Sequence, residues 1–176
     1  LWSRGLGDVY KRQVMPNLKP PVSSVAQALA YRNDILQRLA SNSDFTPLMT
    51  LYLTANTTVD MVKQVAENAH IIAFKLYPAG ATTNSNDGVA DILAIYPILD
   101  AMQQYDVPLL IHGEVVDNDC DIFDRERVFV DRYLQAISQN FPALRIVLEH
   151  ITTQDAVQFV TTCLLYTSDA ADDTPC

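Results

Sequence analysis

Lys75 stands inside an apolar run. His70 to Thr83 reads HIIAFKLYPAGATT, closed by Pro78 and Gly80, and a lysine in that setting has little water around it. An ammonium buried without a partner is costly, so such a lysine is deprotonated, paired or chemically changed. Two later stretches have the same form: VPLLIHGE ends an apolar run at His112, and RIVLEHITT ends another at His150. The three residues are 37 and 38 positions apart. That is long enough for a strand, a loop and a crossover helix leading to the next parallel strand.

The rest of the chain supplies the alternation this spacing requires. Val14–Asn17 reads as the tail of a strand stopped by Pro16, and Ser23 or Ser24 opens a helix running to about Ala40. Pro47–Thr54 is a buried strand, and Thr57 with Asp60 forms a capping box for a helix to about Ala69. After the Lys75 strand and the loop PAGATTNSNDG, a helix spans about Val89–Tyr105, interrupted or kinked at Pro97. Val107–His112 is a strand, Asp124–Asn140 a helix, Arg145–Glu149 a strand, and Thr152 with Asp155 caps a last helix.

The class is therefore α/β. An open nucleotide-binding sheet would also alternate, but no GxGxxG follows any strand. A β/α barrel instead carries its chemistry at the C-terminal ends of its strands, where Lys75, His112 and His150 fall, and alternation turns Phe74 and Leu76 to the opposite face. A whole barrel takes roughly 250 residues, so the 176 here predict a partial TIM (β/α)8 barrel with about five of the eight strands.

KLYPAGATTNS, LLIHGEV and LEHITT together resemble the dihydroorotases of the single-domain bacterial type, within the amidohydrolase superfamily. The resemblance covers most of the chain between Val14 and Thr162. It implies that Lys75 is carboxylated and bridges two zinc ions (Zn2+), and that His112 and His150 ligate the second zinc. It also implies that Asn17 holds the substrate carboxylate and that Thr82 and Thr83 hydrogen-bond bound dihydroorotate as their loop closes. The implied reaction is the reversible cyclisation of N-carbamoyl-L-aspartate to L-dihydroorotate in pyrimidine biosynthesis. Such enzymes also use an HxH pair on the first strand and an aspartate base near the end of the barrel. No HxH occurs among the three histidines of this chain, and no residue matches the aspartate. The piece by itself is thus expected to be inactive. Alternatives are another cyclic-amide hydrolase such as a dihydropyrimidinase, or a non-catalytic barrel of the same superfamily.

Asp8–Gln13 (DVYKRQ) and Cys163–Ser168 (CLLYTS) are translations of one DNA element in opposite orientations, identified as the transposon end carried by sequencing adapters. Residues 1–13 and 163–176 are accordingly expected to be foreign to the fold, leaving 14–162 as the native barrel piece. Two native polar tails would need that inverted match to arise by chance. Without the tails Cys120 is the lone cysteine, which fits a reducing cytoplasm. A net charge of −9 argues against nucleic-acid binding, and no apolar run approaches the length of a membrane span. The implied partner is a small-molecule substrate, and a homodimer is compatible with a complete protein. His70, at the start of its strand, reads as structural, and Glu114 and Glu149 read either as acceptors for an imidazole N–H or as solvated carboxylates.

Overall fold

A computed structural model describes residues 11–40, 43–162 and 166–169. Strands and helices follow in the order β1 (Lys11–Val14), α1 (Val25–Gln37), β2 (Thr46–Tyr52), α2 (Val59–Ala66), β3 (Ile71–Leu76), α3 (Tyr96–Gln104), β4 (Leu109–Ile111), α4 (Arg125–Phe129), α5 (Gln135–Asn140), β5 (Ile146–Glu149), α6 (Gln154–Thr162) and β6 (Tyr166–Asp169). All described strands lie in one sheet in sequence order, each parallel to its neighbours. This is the half-barrel expected, with helices returning the chain between strands.

The register aligns the strand ends. Lys75 pairs with Leu110, and Ile111 with Leu148, so β3, β4 and β5 finish at one level. The His112 amide donates to the Leu76 carbonyl at 3.0 Å, which carries the ladder one residue past β4. Alternation then sorts the faces. Leu51, Phe74, Leu76, Leu109, Ile111 and Leu148 join the core with Val62, Val65, Leu99, Met102 and Phe129 from the helices. Phe74 and Leu76 thus lie opposite Lys75, as their positions in the strand require.

Several boundaries differ from the sequence pattern. The first strand ends at Val14 instead of running to Asn17, because Pro16 lacks an amide for the ladder. Ser24 caps α1, with Gln27 closing a reciprocal capping box. In α2 the cap is Thr58, whose hydroxyl accepts from Met61, while Thr57 takes the Thr54 amide in the preceding turn. Pro97 sits in the first turn of α3 after a short 3-10 turn at Leu93–Ile95, so the expected segment is interrupted there and the α-helix proper begins at the proline. The 125–140 segment is helical throughout, with a π-helical turn at Val130–Leu134 between α4 and α5.

The tails also differ in part from expectation. Lys11–Gln13 and Tyr166–Asp169 pair with the two edges of the sheet, and Lys11 and Arg12 are exposed there. Residues 1–10, 163–165 and 170–176 lie outside the described residues.

Candidate active site

Strand β3 carries Lys75 on the face turned away from the helices, 1% exposed. Burial at that level demands a counter-charge, and Glu149 at the end of β5 supplies it: the Lys75 ammonium is hydrogen-bonded and ion-paired to Glu149 Oε2. The other carboxylate oxygen accepts from the Gln13 side chain, a residue of the expected foreign tail. The Lys75 nitrogen also lies 5.0 Å from the centre of the Tyr77 ring. Glu149, itself 3% exposed, therefore faces a lysine, and no imidazole bond to it is formed.

The two histidines meet just beyond β4 and β5. His112 Nδ1 and His150 Nε2 are 3.0 Å apart, and their ring centres are 4.6 Å apart. His112 is buried while His150 is exposed. His150 holds φ = +44°, a left-handed conformation that a side chain with a Cβ adopts rarely and that is often found at functional sites. Burial pushes the His112 imidazole down to about 3, with His150 and Lys75 adding to the effect, so the ring is neutral near pH 7. Its Nε2 is buried and has no hydrogen-bond partner among the described residues. Glu114 Oε2 is 3.3 Å from that atom, close in distance but outside hydrogen-bonding geometry.

Two tyrosines complete the wall. Tyr77 stacks at 5.1 Å on Tyr52 and lies 6.0 Å from His112. Burial, with Glu149 and Tyr52 contributing, pushes the Tyr77 phenol above its usual range, and burial followed by Asp87 pushes Tyr52 up to about 12. Both stay protonated at neutral pH.

A polar clasp joins the end of β1 to the loop after β3. The Asn17 side chain donates to the Thr83 carbonyl at 3.2 Å, the Asn84 side chain to the Asn17 carbonyl at 3.0 Å, and the Tyr52 hydroxyl to the Asn84 carbonyl at 3.3 Å. Thr82 and Thr83 are exposed. The loop is pinned from within by Ser85, which is fully buried and bonds both the amide and the carbonyl of Thr82. Asn17 and Thr83 are thus brought together in one cluster, and Lys75, His112 and His150 in another, linked through the stacked Tyr52 and Tyr77. His70 is exposed at the opposite end of β3, as its place at the strand start implied.

Among the described residues no group of three or more His, Cys, Asp and Glu side chains is arranged to hold a metal ion. The His112–His150 pair still fits one side of a metal centre: two ring nitrogens converge and another buried imidazole nitrogen is unsatisfied. A cleft of about 510 Å3 opens near the N-terminal ends of the strands, lined by Gln13, Ala73, Leu110 and Val147 among others. It touches none of the six candidate residues, which lie toward the other end of the strands. Sequence reasoning missed the roles of Glu149 and Tyr77, although both stand within two residues of a candidate ligand.

No protein-family model matches the chain. A dihydroorotase of Idiomarina loihiensis is 57% identical over 151 residues, covering 86% of this chain and 44% of that protein. The crystal structure of a Campylobacter jejuni dihydroorotase matches with a TM-score of 0.80 at 38% identity, over 90% of this chain and 45% of that one. A Saccharomyces cerevisiae dihydroorotase in complex with 5-fluoroorotic acid matches with a TM-score of 0.79 at 34% identity, over 92% and 48%. The chain therefore spans less than half the length of these relatives. With identity of this order along most of its residues and the same half-barrel beneath them, the chain is similar, over most of its length, to a part of the dihydroorotases.

Proposed function

We propose that this chain is part of a zinc-dependent dihydroorotase, the part that carries the second-zinc side of the metal centre and the substrate-carboxylate contacts. The observation that carries the reading is the convergence of His112 Nδ1 and His150 Nε2 at 3.0 Å beside buried Lys75, in a sequence 57% identical to a dihydroorotase. Neutral imidazole is the form that binds zinc, and the lowered pKa of His112 keeps that form available. Bound zinc would polarise the ring amide and activate water for its hydrolysis.

The residues of this chain hold and orient. His112 and His150 would be the nitrogen ligands, and Lys75, as a carbamate, would offer two oxygens to the metal pair. Carboxylation replaces an ammonium by an anion, so the Lys75–Glu149 pair must open for the lysine to serve. Asn17 would turn its amide from the Thr83 carbonyl to the substrate carboxylate, with the Thr82 and Thr83 hydroxyls as further donors. The clasp at Asn17, Thr83 and Asn84 already sets these groups beside one another.

The substrate is a small cyclic amide bearing a carboxylate, dihydroorotate or its open form N-carbamoyl-aspartate, used in pyrimidine biosynthesis in the cytoplasm. No helix among the described residues is long and apolar enough to cross a membrane. Residues 1–13 and 163–176 are taken as non-native. The similarity to relatives runs over 147 to 151 residues, about the length of the 14–162 stretch, which supports that division. By itself the piece is inactive, since the HxH pair and the proton-transferring aspartate of the family lie elsewhere.

The test is turnover by a complete protein containing this sequence. Dihydroorotate should be hydrolysed in a zinc-dependent way, and uncharged dihydrouracil at least about tenfold more slowly, because each charge-assisted hydrogen bond lost is worth roughly 1.5–3 kcal/mol. Preference for dihydrouracil would assign the chain to a different cyclic-amide hydrolase.

A further inference from the structure

Glu126 lies in α4, far in sequence from either histidine, yet is only 5% exposed. Its carboxylate accepts from the Thr152 amide at 3.1 Å, from the Thr153 amide at 2.7 Å and from the Thr153 hydroxyl. The same hydroxyl accepts from the Ala156 amide at 3.3 Å, so the carboxylate sits over the first turn of α6, where a negative charge is favoured. Two residues before this cluster is His150 with its left-handed backbone. Such a conformation persists only where the surroundings over-determine it. Here the chain is fixed upstream by the β5 ladder and downstream by Glu126.

Helix α4 also reaches the other histidine's strand end. The Val115 amide donates to the Arg125 carbonyl at 3.2 Å. At Gly113, next to His112, an added Cβ would stand 2.6 Å from Leu148 and 3.6 Å from Phe129. One short helix thus touches the loops that follow both β4 and β5.

We infer that Glu126 is a positioning residue for His150: by clamping Thr152 and Thr153 it sets the backbone from which the His150 ring meets His112. The zinc arm of the test below rests on the reading of His150 as a ligand; the spectroscopic arm does not. A carboxylate that merely capped α6 would support stability and leave the imidazole where it is.

The experiment uses the 176-residue chain labelled at its histidines, with ring resonances recorded before and after titration with zinc. Glu126→Ala should displace the His150 ring resonances, leave those of His70 in place, and weaken zinc binding by about tenfold or more, as losses of supporting contacts around metal ligands do. Glu126→Gln, which keeps an acceptor of the same length, should restore most of both. Should Glu126→Ala fail to fold, Glu126→Asp shortens the reach by one methylene and should move the His150 signals in the same sense. A folded Ala or Asp variant with His150 resonances at their wild-type positions would overturn the inference. A wild-type chain that binds no zinc would instead defeat the ligand reading, and the resonances would still decide the role of Glu126.

Discussion

Glu149 is the residue that makes the burial of Lys75 tolerable. Two opposite charges withdrawn from water lose hydration, and their mutual attraction compensates only while both are present. Replacing Glu149 by Ala should therefore lower the stability of the chain by about 3–5 kcal/mol, read as a fall in the urea midpoint. The double change Lys75→Met with Glu149→Leu should recover most of that loss, because a well-packed apolar pair is often no less stable than the ions it replaces. A single variant with unchanged stability would mean that the pair contributes nothing. The position of Lys75 was legible in the sequence because strand alternation and the apolar run around it are local properties. Its partner was not. Lys75 in β3 reaches Glu149 in β5 across the intervening strand, and that depends on register, which no local pattern contains.

The elements were legible where apolar periodicity is strong and less so where one residue decides a boundary. Thr57 and Thr58 are both chemically able to cap α2, and only the chain's path selects Thr58. Ser24→Ala and Thr58→Ala should each cost about 1 kcal/mol in denaturant unfolding, and no loss would show that the caps are idle. The loop after β3 is governed by a close approach that composition hides. A Cβ at Gly88 would lie 2.4 Å from the Tyr77 carbonyl oxygen and 2.9 Å from that of Ser85, both backbone atoms. Gly88→Ala should destabilise by roughly 1–3 kcal/mol, the usual range for overpacking, and displace the amide resonances of Ala79 and Val89, whose backbones bond across the loop. An alanine accepted without either change would mean that the loop has more room than its contacts allow.

At the scale of the whole molecule, the described strands form an open sheet whose first and last members pair on one side only, and the chain spans 44% of the Idiomarina loihiensis relative. The α/β class and the common rim of Lys75, His112 and His150 follow from the recurring strand-to-strand interval, so they could be read before any coordinates. The backbone of His150 and the clamp on its loop could not, because they arise from contacts between α4 and the β5–α6 connection. Residues 14–162, supplied with zinc and bicarbonate, should give no dihydroorotate hydrolysis above background; turnover near that of an intact dihydroorotase would show that the catalytic groups have been misplaced. The central claim, that His112 and His150 form one side of a zinc centre, is tested most directly by an anomalous difference map at the zinc edge from crystals of the chain grown with zinc. The account predicts a peak within roughly 2.0–2.1 Å of one nitrogen from each ring, absent in His150→Ala. A map with no density between the two rings, and zinc bound only at the surface carboxylates, would contradict it.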